Sequence, residues 1–352
     1  MAKWKPSPLD LMLAFLPAAL VLDLLGVDAV AVFAVSALAI IPLAGLMGRA
    51  TEELAFHTGP GMGSFLNVTF GNATELIIAF AALQAGLPQV VKASLSGAII
   101  GNLLLVLGLS MLAGGLRYRD QKFSPKAAMT YNSLMVMAII GMTLPALFVY
   151  TGGSRASVEN LSLGVSAVLL GVYILAMVFS LHTHKQIFNP LAEDESVHAR
   201  WSKGKAILVL ALSAVLVALM SEVLVGSVEH AAEKLGMTQL FIGVVVVAIV
   251  GNAAEHGIAV TVALKNKMDL SISIATGSSA QVALFVAPFL VLLSYAIGNP
   301  MDLFFEVFEL AAMGLSVVAV YMVVQDGESN WFEGVMLVAV YLMMALVFFL
   351  HP

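Results

Sequence analysis

Two glutamates, Glu75 and Glu255, lie inside long apolar runs, each closing a near-copy of one pentapeptide: Gly71-Asn72-Ala73-Thr74-Glu75 and Gly251-Asn252-Ala253-Ala254-Glu255. An ionisable side chain at the middle of a bilayer costs roughly 3 kcal/mol on insertion scales, so such groups usually face a cavity or a pathway. Asn72 and Glu75 are three residues apart, as are Asn252 and Glu255, which puts each pair on one helical face. Gly71 and Gly251 weaken a helix and let backbone carbonyls turn toward a ligand. Facing each other, the copies would offer paired carboxylates, amide oxygens and spare carbonyls, an all-oxygen set for a hard cation of matching double charge. Two carboxylates close together at low dielectric cannot both stay ionised without a counter-ion. Protons therefore take the cation's place when it leaves, and cation and proton compete for the same oxygens.

Other polar residues surround this pair. His256 follows Glu255 and has Leu76 as its counterpart. It titrates near neutrality, which makes it a candidate proton relay. A helical neighbour points about 100° away, however, so packing or hydrogen bonding is an equal alternative. Glu52 and Glu222 could mark two mouths of one pathway, or be solvated carboxylates at the interface. Asn102, Ser96, Ser278, Ser279 and Gln281 could line the cavity, although such residues also join helices without further function. Glu306 and Glu309 have no acidic counterparts and suggest an outer vestibule or a salt bridge.

The elements that must position these groups follow from composition. Of 352 residues, 61% are hydrophobic and 11% charged, and the mean hydropathy is +1.00. Ordinary globular chains carry roughly 25% charge. An integral membrane protein is expected, surrounded by lipid. The absence of cysteine excludes disulfides, thiolate metal sites and cysteine nucleophiles. No basic run suggests a nucleic-acid partner. The apolar runs are too long for a β-barrel and lack its alternation. Eleven of them are long enough to be helical spans: 9–25, 28–48, 62–86, 88–114, 123–150, 157–181, 204–229, 238–264, 269–297, 301–324 and 331–350. Lys3 and Lys5 precede the first run without a trusted cleavage pattern, so a retained helix is expected. With these spans, 13 basic residues fall on one side and only Lys92, Arg155 and Lys234 on the other. The positive-inside rule then places the N-terminus in the cytoplasm, the C-terminus outside, and the chain most simply in the cell membrane.

The chain also repeats itself. A shift of 180 residues superposes the two pentapeptides and also aligns Ile78 with Ile258, Gly97 with Gly277, Leu104 with Leu284 and Gly108 with Pro288. Five spans per copy is an odd number, so the copies enter the membrane in opposite orientations, as in many secondary transporters. The expected fold is an all-α membrane protein of 11 helices: an extra N-terminal helix over 1–27, inverted repeats over 28–181 and 204–352, and a cytoplasmic linker over 182–203. The linker carries His182, His184, Glu193, Asp194, Glu195 and His198; it reads as a solvated hinge or as a cation-sensing loop.

At Thr-Phe-Gly-Asn-Ala-Thr-Glu-Leu (69–76), Gly-Asn-Ala-Ala-Glu-His (251–256), Lys-Asn-Lys-Met-Asp-Leu (265–270) and Gly-Ser-Ser-Ala-Gln (277–281) the sequence resembles the calcium/proton exchanger family of the calcium/cation antiporter superfamily. The resemblance covers nearly the whole chain after the first helix. It implies ten core helices plus one, and Glu75 and Glu255 alternating between Ca2+ and H+ with Asn72 and Asn252 beside them. Sodium/calcium exchangers of that superfamily usually carry Ser/Thr-Pro-Glu in these helices. Ala73-Thr74-Glu75 and Ala253-Ala254-Glu255 depart from that pattern, which favours the proton-coupled branch. The expected activity is secondary antiport of cytoplasmic Ca2+ against H+, with no cofactor beyond the transported ions. A sodium-coupled calcium exchanger is the alternative. An intramembrane hydrolase lacks its motifs here, and a passive channel suits paired titratable carboxylates poorly.

Overall fold

The computed structural model describes residues 8–350 except 59–62, 64–65, 67–68, 185–186 and 188–198. Lys3, Lys5, Glu193, Asp194, Glu195 and His198 therefore lie outside the described residues. In chain order the principal helices are α1 (Met12–Leu24), α2 (Ala29–Thr58), α3 (Ala73–Gln84), α4 (Pro88–Tyr118), α5 (Pro125–Tyr150), α6 (Ala156–Thr183), α7 (Lys203–Leu235), α8 (Gln239–Ala263), α9 (Met268–Ala296), α10 (Val307–Val323) and α11 (Trp331–Leu350). Eight of these are long and apolar enough to cross a membrane; α1, α3 and α10 are shorter. Wide i→i+5 turns occur in α4 at Gly101–Val106, α8 at Ile242–Val247 and α9 at Val282–Val286.

The ends of these helices have local causes. Ser202 and Thr238 accept the N–H groups of Lys205 and Phe241, satisfying donors that the first turns of α7 and α8 leave open. Gly236 closes α7 with φ 64°, a left-handed conformation that costs glycine little. Asp28 accepts the Val30 N–H at 2.8 Å at the start of α2 and forms an ion pair with Lys234.

The helices fall into two compact units, 1–91 with 196–254, and 92–195 with 255–352. Each takes helices from both sequence copies, so the units do not coincide with the expected domains 28–181 and 204–352. In the first unit, α2 and α7 pack along each other, α3 lies on α7 and α1 on α2. Ala39, Ala50, Ala206, Ser213, Ser221 and Ala231 bring small side chains to this interior, allowing close helix approach where lipid gives no hydrophobic drive. Ile40, Leu43 and Met47 fill it and are almost fully buried.

In the second unit, α4 packs on α11, α9 on α5 and α6, and α10 on α5. The contact of α4 with α11 is glycine-mediated: a Cβ on Gly108 would stand 3.0 Å from Leu337 Cβ. One feature departs from the all-helical expectation. Strands β1 (Asp120–Lys122) and β2 (Glu328–Asn330) pair antiparallel, Gln121 opposite Ser329. Three-residue strands carry too little alternation to be recognised. Gln121 also donates to Ala263 O and Asn266 Oδ1, both at 2.9 Å, and Asp269 accepts the Ser124 N–H.

The Asp28 pair has a measurable consequence. The hydrogen bond from Lys234, followed by that from the Val30 N–H, holds the Asp28 carboxyl below its ordinary value. A folded-state value below the unfolded one means that the contribution to stability is present above the unfolded value and lost as pH falls through the folded one. Asp28→Asn is therefore expected to lower the thermal midpoint of the purified protein at neutral pH. The difference from wild type should vanish below the usual carboxylate range. An equal difference at every pH would contradict this.

Candidate cation-binding site

In the first unit the motif helix is discontinuous. Residues 69–71 are helical, Asn72 forms a turn (φ −95°, ψ 16°), and α3 begins at Ala73. The Asn72 side chain is fully buried and does not cap the helix. Glu75 thus stands in the first turn of α3, where the positive end of the helix dipole favours a carboxylate. Thr74, one residue earlier, points its hydroxyl to Met47 Sδ at 3.8 Å.

The second motif approaches this turn through a missing side chain. A Cβ on Gly251 would lie 3.5 Å from Glu75 Cγ and 3.8 Å from Ile78 Cδ1, so the backbone of α8 comes up against the Glu75 side chain. Contrary to the expectation that both glycines loosen their helices, Gly251 and Asn252 lie within unbroken helix. The packing against Glu75, and not a break, is what uses Gly251. Asn252 is 1% exposed; its Nδ2 donates to Ala248 O at 3.0 Å, and among the described residues its Oδ1 has no donor. A buried amide oxygen without a donor is uncommon and is free to accept from a water or to bind an ion.

In the second unit Glu255 is joined to a polar chain. The His256 Nε2 lies 3.0 Å from Asn102 Oδ1, and Asn102 Nδ2 donates to Ser278 Oγ at 3.2 Å. The Ser278 hydroxyl in turn hydrogen-bonds the Glu255 carboxyl. Donor directions agree along the whole chain if the Nε2 of His256 carries hydrogen, an assignment made from the network. Glu255 Oε2 has no donor among the described residues. His256 therefore does not contact its neighbour directly, in keeping with its rotation around the helix; it reaches Glu255 through Asn102 and Ser278. Asn102 belongs to the wide turn of α4, and such turns frequently mark functional positions in helices.

The remaining candidates separate clearly. Gln281 is half-buried at the last residue before the wide turn of α9, while Glu52 on α2 and Glu222 on α7 are exposed. Glu306 and Glu309 form a capping box at the start of α10; the ion pair nearby belongs to Lys92 and Asp302, at 3.0 Å. Sequence reasoning missed Tyr131, whose ring lies 3.6 Å from the Cβ position of Gly277, beside Ser278. The stripe Gly277-Ser278-Ser279 is the signal that space for a neighbouring ring exists there.

Asn102→Leu keeps volume while removing both links of the chain. Leaving buried partners unsatisfied costs about 1–3 kcal/mol, equivalent to about tenfold or more in an equilibrium constant. Cation transport by this variant is expected to fall by about that factor, with a shifted pH profile. An unchanged profile at an unchanged rate would remove the chain from function.

The sodium/calcium exchanger protein family matches residues 29–182 and 205–350. The Ca(2+)/H(+) antiporter of Synechocystis sp. is 47% identical over 97% of this chain and 96% of its own length. The Ca(2+)/H(+) antiporter ChaA of Bacillus subtilis is 44% identical over 97% and 98%. Among solved structures, native YfkE superposes with a TM-score of 0.86 at 42% identity, covering 98% of this chain and 100% of the other. The H+/Ca2+ exchanger CAX shares the fold, with a TM-score of 0.71 at 11% identity over 97% of this chain and 91% of the other.

Proposed function

The chain belongs to the sodium/calcium exchanger protein family, and we propose that within it this protein is a Ca2+/H+ antiporter whose Glu75 and Glu255 take up Ca2+ and H+ in turn. It is a multi-pass membrane protein and a secondary transporter rather than an enzyme. Relatives of high identity over almost the whole chain are Ca(2+)/H(+) antiporters.

The observation that carries the site assignment is a pair of buried oxygens on α8, Asn252 Oδ1 and Glu255 Oε2, neither with a donor among the described residues. An oxygen in that position can be satisfied by a hard cation, by a water or, on the carboxyl, by a proton, and a carboxylate on the same helix favours the cation. A buried carboxylate left with neither costs several kcal/mol, so departure of one ligand favours arrival of the other. That is the thermodynamic basis of exchange. Asn72 and the backbone of Gly71 complete the proposed ligand set, and Gly251 admits the Glu75 side chain to it. His256 is the proposed relay group, acting through Asn102 and Ser278. Gln281, Glu52 and Glu222 are proposed pathway positions, the last two at its solvated ends.

The finer topology is part of the same reading: eleven spans, inverted five-helix repeats, N-terminus in the cytoplasm and C-terminus outside. Two observations support it. The wide turn of α9 falls on that of α4 under the 180-residue shift of the sequence repeat. Loop contacts also join segments that the alternation puts on one side. Asp28 pairs with Lys234 and Lys92 with Asp302 on the outer side. Strands β1 and β2 pair on the inner side, where Glu53 also accepts the Trp201 N–H at 2.9 Å. An even number of spans between such partners is what these contacts require.

Reconstituted vesicles separate this reading from a sodium-coupled exchanger. Ca2+ uptake driven by a pH gradient in sodium-free medium is the expected result. A strict requirement for sodium would overturn the reading.

A further inference from the structure

Outside the exchange motifs the chain buries another carboxyl group. Glu309, in the first turn of α10, is 2% exposed. Its Oε2 accepts the Glu306 N–H at 3.0 Å, and its Oε1 lies 2.7 Å from Ser96 Oγ on α4. Ser96 Oγ also lies 3.0 Å from Ala93 O. A serine hydroxyl has one hydrogen, and here it faces two oxygens. With Glu309 a carboxylate, that hydrogen goes to Oε1 or is shared, and Ala93 O keeps only its helix N–H donor. With a hydrogen on Glu309 Oε1 both contacts have a donor of their own: the carboxyl donates to Ser96 Oγ, and the hydroxyl donates to Ala93 O.

The nearest cation is already committed. Lys92 Nζ donates to Asp302 Oδ1 at 3.0 Å and to Phe304 O at 2.8 Å. Among the described residues no Lys, Arg or His forms an ion pair with Glu309. Facing it are Lys92 and Ser96 from α4 and Glu306 from the segment before α10; Tyr131 of α5 and Tyr341 of α11 are the membrane-level ionisable groups of the other helices packed on α10. A carboxyl desolvated beside one hydroxyl and one amide, with its neighbouring ammonium engaged elsewhere, is held more cheaply neutral than charged.

We propose that Glu309 is a proton-binding site separate from Glu75 and Glu255, in which the bound proton links α10 to α4 through Ser96. The proton is a resident of this site and does not exchange with Ca2+. Its loss would place a negative charge in the field of Lys92 and draw the ammonium from Asp302 and Phe304. The segment before α10 would then lose its hold on α4.

Infrared spectra of the full-length protein in bilayers, wild type minus Glu309→Gln at neutral pH, test this. The expected difference contains the C=O stretch of a protonated carboxylic acid, unchanged by added Ca2+. Ser96→Ala, which keeps the carboxyl but removes its partner, should move that band to higher frequency without abolishing it. A difference showing only carboxylate stretches would overturn the proposal, as would a band that Ca2+ removes. Should Glu309→Gln fail to fold, wild type minus Ser96→Ala decides alone: a shifted acid band supports the site, and no shift overturns it.

Discussion

Glu255→Gln protein is expected to fold, to remain monodisperse, and to lose Ca2+ transport by on the order of 100-fold or more. The amide keeps the size of the side chain and an oxygen for the Ser278 hydroxyl that hydrogen-bonds Glu255. It removes the charge that a divalent ion requires and the group that a proton would occupy. Removing one partner of a buried charge pair typically costs about 3–5 kcal/mol, and each 1.4 kcal/mol is about tenfold. Without the ion, the same substitution relieves a desolvated carboxyl, so stability should be equal or greater. Glu75→Gln is expected to lose transport similarly, with a small added cost of about 0.3–1 kcal/mol because its carboxylate lies at the start of α3. Radioactive Ca2+ uptake into proteoliposomes, paired with thermal unfolding, checks both halves. Transport near the wild-type rate in either variant would remove that glutamate from the site.

Gly334→Ala is expected to be among the most damaging single methyl additions to the second unit. A Cβ on Gly334 would stand 2.8 Å from Leu112 Cα and closer still to the Leu112 nitrogen of α4. These are backbone atoms of a helix and cannot swing aside. The two helices must separate, which costs about 1–3 kcal/mol or more in an overpacked interior. Separation would disturb α4, the helix that carries Asn102. A lower thermal midpoint and a reduced monodisperse yield are expected, with Gly164→Ala as the control, since a Cβ there meets nothing within 4 Å. Equal behaviour of the two variants would show that the close approach of α4 and α11 is not under compression.

Much of this was legible from residues alone, for physical reasons. Apolar runs bounded by charged loops are the direct record of bilayer thickness, and eight of the runs fall on helices long and apolar enough to cross a membrane among the described residues. Glu75 and Glu255 stood out because charge is costly in such runs. What was not legible depended on tertiary packing. The same Gly-Asn pair sits at a helix break at Asn72 and in continuous helix at Asn252; the pair alone does not decide, and its flanks and packing do. The link from His256 to Asn102 joins residues 154 positions apart, beyond any periodic pattern. Rotation around the helix left a relay role and a hydrogen-bonding role for His256 equally open. It could not show that a wide turn in α4 would bring an amide to it. Nor could the 180-residue repeat foretell that each compact unit would draw helices from both copies.

The central claim is that the same oxygens hold Ca2+ and H+ in turn, and proton release on Ca2+ binding tests it most directly. Ca2+ would be added to purified, lightly buffered protein while pH is followed. The account requires acidification by wild type that saturates with Ca2+ and is lost in the Glu75→Gln, Glu255→Gln double variant. Saturable Ca2+ binding by wild type without proton release, or release that persists undiminished in the double variant, would contradict it.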